Sequence, residues 1–352
     1  AVHIIELQRQ LSAADQFALN SANAQNRLDT SERSLADSAS LLQRVRELAL
    51  QANNSTASPA DRASIATEIR ARLDELKQIA NSLDGYGEYI FAGLSGSTQP
   101  FVSSVTGISY QGDAGSRAVQ ISPSQKVVDG HSGYDVFLHV PAGNGTFTTA
   151  ANATNSGSGV IDVGSVANPV AWVPDNYTLR FTAPNAYEIL DGTGTQIATG
   201  AYTAGNAIQF AGISVAVSGA PATGDRFSVA TSGSEDLFTT LQHRVDTLVS
   251  PTAIPAQKAQ FSTSMGGLLA QLDSGIDHLQ TVRAEVGTRL AAIDSATAER
   301  DDHIIEVKKA LSELRDVDYA DVVSRMNQQL TGLQAAQQSY ARISQLSLFN
   351  YL

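Results

Sequence analysis

Both ends of the chain carry apolar residues at helical spacing, most clearly at the C-terminal end. One series recurs every seventh position and consists of Met265, Leu272, Leu279, Val286 and Ile293. A second series runs three to four residues away and consists of Leu269, Ile276, Leu290, Ile304 and Leu311. Two such series form the stripe of a helix that packs on a partner helix. The pattern predicts a long helix over about 256–315, a break at 316–318 and a last amphipathic helix.

The N-terminal end supplies a candidate partner. Residues 1–52 contain neither Pro nor Gly and are predicted to form one helix. Its inner positions step by seven in two sets, which are Leu28, Leu35 and Leu42, and Ala24, Ser31, Ser38 and Val45. A second helix is predicted to begin after Ser58, with Pro59 at its first position, and to end at Asp84-Gly85. A further short helix follows Ser234.

The middle of the chain changes character. Of 27 glycines, 20 lie within residues 93–235, together with only four of the 23 Lys and Arg residues. Alternating runs such as 134–138, 177–181 and 213–217 predict strands joined by hairpins, and residues 142–169 read as an exposed loop. The fold class predicted is α+β: a long antiparallel helical bundle or coiled-coil rod from both termini, with an inserted all-β domain.

The predicted domains follow from this change. Residues 1–103 and 233–316 form the helical rod domain, and residues 104–232 form the β-domain, whose division into two subdomains near 140–160 stays open. Residues 317–352, after the predicted break, form a separate C-terminal segment. In this reading the helices lie inside an assembled tube and the β-domain faces solvent.

Composition narrows the classes of partner. The net charge is -12, and charged residues make up 16% of the chain, against about 25% in typical proteins. Nucleic acid and anionic membrane surfaces are predicted not to be partners, because both need clustered Lys and Arg. The chain has no cysteine, which excludes disulfides and Cys-based zinc sites. We see no apolar run long enough for a membrane span and no signal peptide at the polar start.

No catalytic group of residues emerges from the sequence. The six histidines are scattered, and none forms a helical metal-binding pair. His131 and His139 lie eight residues apart, and packing in a hairpin is a better explanation than a metal site. The glycine-rich stretches lack phosphate-binding motifs, and Trp172 reads as β-domain packing rather than a sugar platform. We therefore predict no enzyme activity, no catalytic residue, no metal and no cofactor.

Two surfaces suggest assembly instead. Around residues 43–47 two arginines and an acid lie beside the apolar stripe, which indicates a lateral contact or simply a solvated helix face; the candidates are Gln43, Arg44, Arg46 and Glu47. The last helix carries an apolar stripe with no evident partner in the chain. We predict that it contacts other subunits or a chaperone through Val322, Met326, Leu330, Leu333, Tyr340, Ile343, Leu346 and Phe349.

Several segments resemble the flagellin family. Residues 42–56 and 61–76 are similar to its N-terminal helical segment, and residues 283–290 and 318–322 are similar to its C-terminal one. The similar segments lie at both ends of the chain, and the likeness covers roughly half of its length. Residues 87–93, Pro100-Phe101 and the ending 348–352 resemble the hook-associated members of the family more than the filament flagellin itself.

The resemblance implies a structural role. Such a protein is exported unfolded through the flagellar type III apparatus, is guided by a chaperone on its C-terminal helix, and forms a layer between hook and filament. Its partners would be copies of itself, a hook-associated protein on the hook side and flagellin on the filament side. The matched segment adds Arg283, Glu285 and Arg289 to the lateral-contact candidates. It also implies that residue 1 lies just inside the helical rod domain, with a preceding segment missing. Residues 317–352 would then be the C-terminal half of an inner coiled-coil domain.

Two alternatives remain open at this point. The chain could be flagellin itself, the filament subunit, although its C-terminal ending differs. It could also be an adhesive or carbohydrate-binding β-module on a helical stalk, which direct sugar binding would reveal.

Overall fold

The computed structural model describes residues 2–54, 57–104, 107–315 and 319–345. The helices are α1 (Val2–Ala52), α2 (Pro59–Ala80), α3 (Leu237–Leu248), α4 (Pro255–Arg315) and α5 (Tyr319–Gln345). They confirm the predicted helices at both ends and the α+β class. Among the described residues, 19–295 form one compact unit, and 2–18 with 296–315 and 319–345 form another. The three-domain division made from the sequence stays a prediction.

The strands all lie between α2 and α3. In chain order they are β1 (Phe101–Ser104), β2 (Gly107–Tyr110), β3 (Ala118–Gln120), β4 (Lys126–Val128), β5 (Val140–Pro141), β6 (Phe147–Ala151), β7 (Val160–Ile161), β8 (Ser165–Val166), β9 (Tyr177–Ala183), β10 (Ala186–Leu190), β11 (Gln196–Ala201), β12 (Ala207–Phe210), β13 (Ile213–Ser218), β14 (Arg226–Thr231) and β15 (Ser234–Glu235). Every pairing among them is antiparallel.

In the larger unit, α1 and α4 run antiparallel. Glu32 pairs with Arg283, and fourteen residues further along α1, Arg46 pairs with Asp273. The first predicted series on α4 is confirmed, since each of its five residues is fully buried. Both predicted sets on α1 are buried as well. The two stripes therefore form the core seam of this helical pair.

The second predicted series on α4 is not buried, and at Leu269 and Ile276 the buried position lies one residue earlier. Leu269, Ile276 and Leu290 are only half-buried. The buried series is Phe261, Leu268, Gly275, Val282 and Ala296. Gly275 explains the error, because a Cβ there would lie 3.0 Å from the Leu237 side chain and 3.4 Å from that of Leu42. A glycine in the seam lets α1, α3 and α4 approach closely, but it carries no hydrophobic signal.

The start of α2 matches its prediction and its end does not. Ser58 and Asp61 form a reciprocal capping box, with Pro59 at the first position. The helix ends at Ala80, with Asn81 as its cap, rather than at Asp84-Gly85. The Asn81 side chain binds both backbone groups of Phe101, at 2.8 and 2.9 Å. These two hydrogen bonds hold the start of β1 beside the end of α2, so the chain leaves the helix at this point.

The β-region contains two main sheets. A five-stranded sheet has the order β11-β10-β9-β14-β6, and a second sheet has the order β12-β13-β7, with β8 also paired to β13. Alternate residues point inward along β9, β13 and β14. They enclose an apolar core whose buried aromatic members are Phe147, Tyr177, Phe181, Phe210 and Phe227.

Two sequence predictions in this region are corrected. Residues 134–138 form one π-helical turn and not a strand. Val136 and Phe137 are adjacent and both fully buried, which strand alternation does not allow on a single face. Residues 142–169 are not one exposed loop, because they contribute β6, β7 and β8 to the sheets.

The smaller unit is sparsely packed. Its buried apolar residues include Ala14, Ala296 and Val307. On α5, every residue from 321 to 344 is exposed. The predicted break at Asp316–Asp318 lies outside the described residues. No helix in the described part of the chain is long and apolar enough to cross a membrane.

Candidate assembly surfaces

The lateral-contact candidates on α1 lie on an outward face. Gln43, Arg44 and Glu47 are exposed and Arg46 is half-buried. Arg44 Nη1 lies 3.0 Å from the Glu47 carboxylate, and Arg44 Nη2 lies 3.1 Å from Glu68 on α2. These exposed ion pairs contribute little to stability, because water and salt screen them. The charges are thus held in place but stay accessible to a neighbouring molecule.

The candidates on α4 have partners within the chain. Arg283 donates two hydrogen bonds to the Glu32 carboxylate of α1, from Nη2 at 2.6 Å and from Nε at 2.9 Å. Glu285 lies 3.0 Å from His131, and Arg289 donates to the carbonyl oxygen of Gly130 at 3.3 Å. Arg289 lies seven residues after Val282, at the position where the buried series of α4 would continue. Its side chain extends outward and binds the loop at residues 130–131. These three residues fasten other segments onto α4, and lateral contact through them stays a prediction.

His131 and Glu285 help to line a cavity of about 360 Å³ together with His278 and Asp135. Burial lowers the pKa of His131; the Glu285 carboxylate acts in the opposite direction, and the Arg289 charge acts with burial. His139 packs instead against Tyr134, with ring centroids 5.9 Å apart. Within the described residues, no group of three His, Cys, Asp or Glu residues is placed to hold a metal ion.

A buried ion pair escaped the sequence analysis. Arg27 Nη1 lies 2.5 Å from the Asp84 carboxylate, and both side chains are less than a tenth exposed. Arg27 Nη2 also donates to the carbonyl oxygen of Tyr89 at 3.1 Å. Burial by itself raises the pKa of Asp84, but the backbone N–H groups of Glu88 and Tyr86 and the Arg27 guanidinium outweigh it and leave the pKa below its ordinary value. The signal for this ion pair in the sequence was the charge of Arg27, which lies next to Leu28 of the apolar stripe on α1.

The structure explains the glycine at the end of the 87–93 segment, which resembles the hook-associated proteins. Gly93 has a φ of 69°, and a Cβ there would collide with the backbone of Asp113. The Asp113 carboxylate accepts hydrogen bonds from Leu94 N, the Ser95 hydroxyl and Gly115 N. Only glycine fits this close approach in the left-handed region.

An aromatic cluster packs against the same segment through Phe91. Phe137 and Phe101 lie with ring centroids 5.5 Å apart, and each also contacts Phe238 of α3. Phe91 meets Phe137 edge to face at 5.2 Å. The Tyr110 hydroxyl bonds to the carbonyl oxygen of Phe91 at 2.9 Å, and burial raises the pKa of Tyr110 to about 12. Tyr110 and Phe101 of the Pro100-Phe101 motif therefore belong to one core.

The predicted stripe on α5 is present and exposed. Its apolar side chains are between 43% and 76% exposed, and they are Val322, Val323, Met326, Leu330, Leu333, Tyr340 and Ile343. Large apolar side chains exposed in one row mark an interaction surface. Leu346 and Phe349, the last two candidates, lie outside the described residues.

The chain is similar to known flagellar proteins along most of its length. Residues 4–95 match the bacterial flagellin N-terminal helical region, and residues 269–352 match the C-terminal helical region. A crystal structure of Xanthomonas campestris FlgL is 36% identical, with a TM-score of 0.81 over 87% of this chain and 99% of that one. The chain belongs to the flagellar hook-associated protein 3 family. It is a structural protein of the flagellum.

Two more family members extend the likeness. The flagellar hook-associated protein 3 of Legionella pneumophila is 31% identical, with a TM-score of 0.84 over 90% of this chain and all of that one. The Escherichia coli protein of the same name is 26% identical over 95% of this chain and 80% of its own length. The flagellin regions match only the two ends, whereas the family likeness includes the β-region. This distinction favours a hook-associated protein over the filament subunit.

Proposed function

We propose that this chain forms the layer that joins hook to filament and adapts one to the other. The observation that carries the proposal is its likeness, over nearly the whole chain, to the Xanthomonas and Legionella proteins. One Legionella pneumophila relative, 30% identical with a TM-score of 0.79, is described as the flagellar junction protein. Such a layer lies outside the cell, on the flagellum.

The exposed surfaces match the contacts that a layer needs. Copies of the chain meet side by side through the charged face of α1, which presents Gln43, Arg44 and Glu47 to solvent. Arg46 and the α4 residues Arg283, Glu285 and Arg289 set the positions of the helices behind that face. Charged rims of this kind determine which partner binds and in which register, more than how tightly it binds.

The α5 stripe serves the other contacts. We assign to it binding of an export chaperone before assembly, and afterwards contact with a hook-associated protein on one side and flagellin on the other. A helix whose apolar row lies open is unstable alone and gains its stability from packing on a partner. Export through the flagellar type III apparatus is part of the same proposal.

Deletion of the gene tests the proposal. Cells should build hooks that carry no filament and should release flagellin into the medium, because flagellin would have no layer to attach to. Electron microscopy and immunoblotting of the medium measure both effects. A plasmid copy of the gene should restore filaments, and filaments of normal length on the deletion strain would contradict the proposal.

A further inference from the structure

Residues 142–232 contain both main sheets, and the name β-domain refers below to this part of the predicted range 104–232. The chain enters and leaves this β-domain at a single place. The incoming strand β5 pairs with the outgoing strand β15, with Pro141 opposite Ser234 and Val140 opposite Glu235. The next residue along, Ala142, donates its N–H to the carbonyl oxygen of Gly233 at 2.9 Å. The two crossings therefore form one antiparallel ribbon rather than two independent linkers.

A buried glutamine of α4 fixes this ribbon. The Gln271 side chain is only 2% exposed. Its Oε1 accepts from Gly143 N at 2.8 Å, and its Nε2 donates to the carbonyl oxygen of Pro141 at 3.4 Å. The hydroxyl of Ser274, one turn along the helix, donates to the same carbonyl oxygen at 2.7 Å. A buried carboxamide is costly unless both of its ends are bonded, so this geometry defines one position of the ribbon on α4.

A second attachment lies nearer the N-terminus of α4. Gln260 Nε2 donates to the carbonyl oxygen of Ala153, in the loop after β6, at 2.9 Å. Gln260 and Gln271 are eleven residues apart, which is about 16 Å along a helix axis. Two attachments at this separation oppose rotation of the β-domain about its ribbon.

The outgoing strand is fixed as well. The Glu235 carboxylate accepts from the Thr240 hydroxyl of α3 at 2.9 Å, and Asp236 caps α3 through Phe238 N. The ribbon is thus bonded to α4 on one side and leads directly into α3 on the other.

We propose that the β-domain is mounted rigidly on α4 and that Gln271 is the positioning residue that sets its orientation. The β-domain and the helices of the larger unit then turn as one body, and a load on the β-domain passes directly into α4. The proposal concerns the isolated subunit and does not depend on where the subunit is incorporated in the flagellum.

Spin labels can measure this orientation directly. The chain contains no cysteine, so Ala204→Cys in the β-domain and Ala291→Cys on α4, both at exposed positions, give one label on each side. Double electron–electron resonance should give one narrow distance distribution. Gln271→Met keeps the side-chain length but removes both hydrogen bonds, and it should broaden the distribution or shift its maximum.

Gln280→Met is the matched control. Gln280 is exposed on the same helix, and its side-chain Oε1 accepts from Arg283 Nη1, one turn away. This variant should keep the narrow distribution. Ser274→Ala removes one bond to Pro141 with a good helix former, and it should broaden the distribution less than Gln271→Met. It also supplies a folded variant if Gln271→Met unfolds. A broad distribution in the unmutated background, or distributions for Gln271→Met and Ser274→Ala equal to that of the control, would overturn the proposal.

Discussion

Replacing both Leu330 and Leu333 with Asp should abolish filament attachment while leaving the unit formed by residues 19–295 folded. Both side chains are about half exposed in the isolated chain, so the charges cost little there. Under the proposed function, this row is covered in the assembled layer. Losing two buried leucines costs at least about 3 kcal/mol per contact, or roughly a hundredfold in association constant, before the penalty for burying carboxylates is added.

The assay combines complementation of the deletion strain with chaperone pull-down and thermal unfolding. Gln328→Asp with Gln338→Asp is the matched control, because it places the same two charges at exposed positions of α5 away from the apolar row. That control should restore filaments. If the leucine variant also restores filaments and binds the chaperone as the parent chain does, α5 is not the contact surface.

Replacing Arg27 with Met should lower the free energy of unfolding of the larger unit by about 3–5 kcal/mol, because it leaves the buried Asp84 carboxylate without its cation. It also frees the Tyr89 carbonyl oxygen that Arg27 now binds. Urea unfolding followed by circular dichroism measures the effect. Arg33→Met, an exposed position on the same helix whose Nε donates to the carbonyl oxygen of Asp29, should change stability by no more than about 0.5 kcal/mol.

The pH dependence identifies the carboxylate responsible. The pKa of Asp84 is lower in the folded chain than its ordinary value, so its stabilising contribution is present above the carboxyl range and is lost as pH falls through the folded pKa. Without Arg27 the folded pKa of Asp84 rises. The difference in stability between the parent chain and Arg27→Met should therefore shrink below about pH 4. A difference that stays constant with pH would exclude Asp84 as its origin.

The sequence was sufficient wherever one signal repeated along the chain. Leu28, Leu35 and Leu42 lie on the seam of α1 as their spacing predicts, since apolar side chains at that spacing share one face of a helix. The α5 row was found in the same way. The prediction of the seam failed at Gly275. There the close approach of neighbouring helices, and not the burial of a side chain, determines which residue fits.

Contacts between distant segments could not be read from spacing. Arg27 and Asp84 lie 57 positions apart, and neither belongs to a pattern that indicates the other. Residues 134–138 are rich in strand-forming residue types, but they form a helical turn in which Val136 and Phe137 are both buried and Phe137 joins the aromatic cluster. Gln271 and Ser274 looked like ordinary polar residues of a helix, and only the fold brings the ribbon onto them.

The position of this chain in intact flagella tests the central claim most directly. An antibody against the β-domain, coupled to gold, can be applied to purified hook–filament particles and imaged by electron microscopy. We predict a single narrow band of gold where the hook meets the filament, which disappears in the deletion strain. Gold distributed along the filament, or its absence from that boundary, would contradict the account.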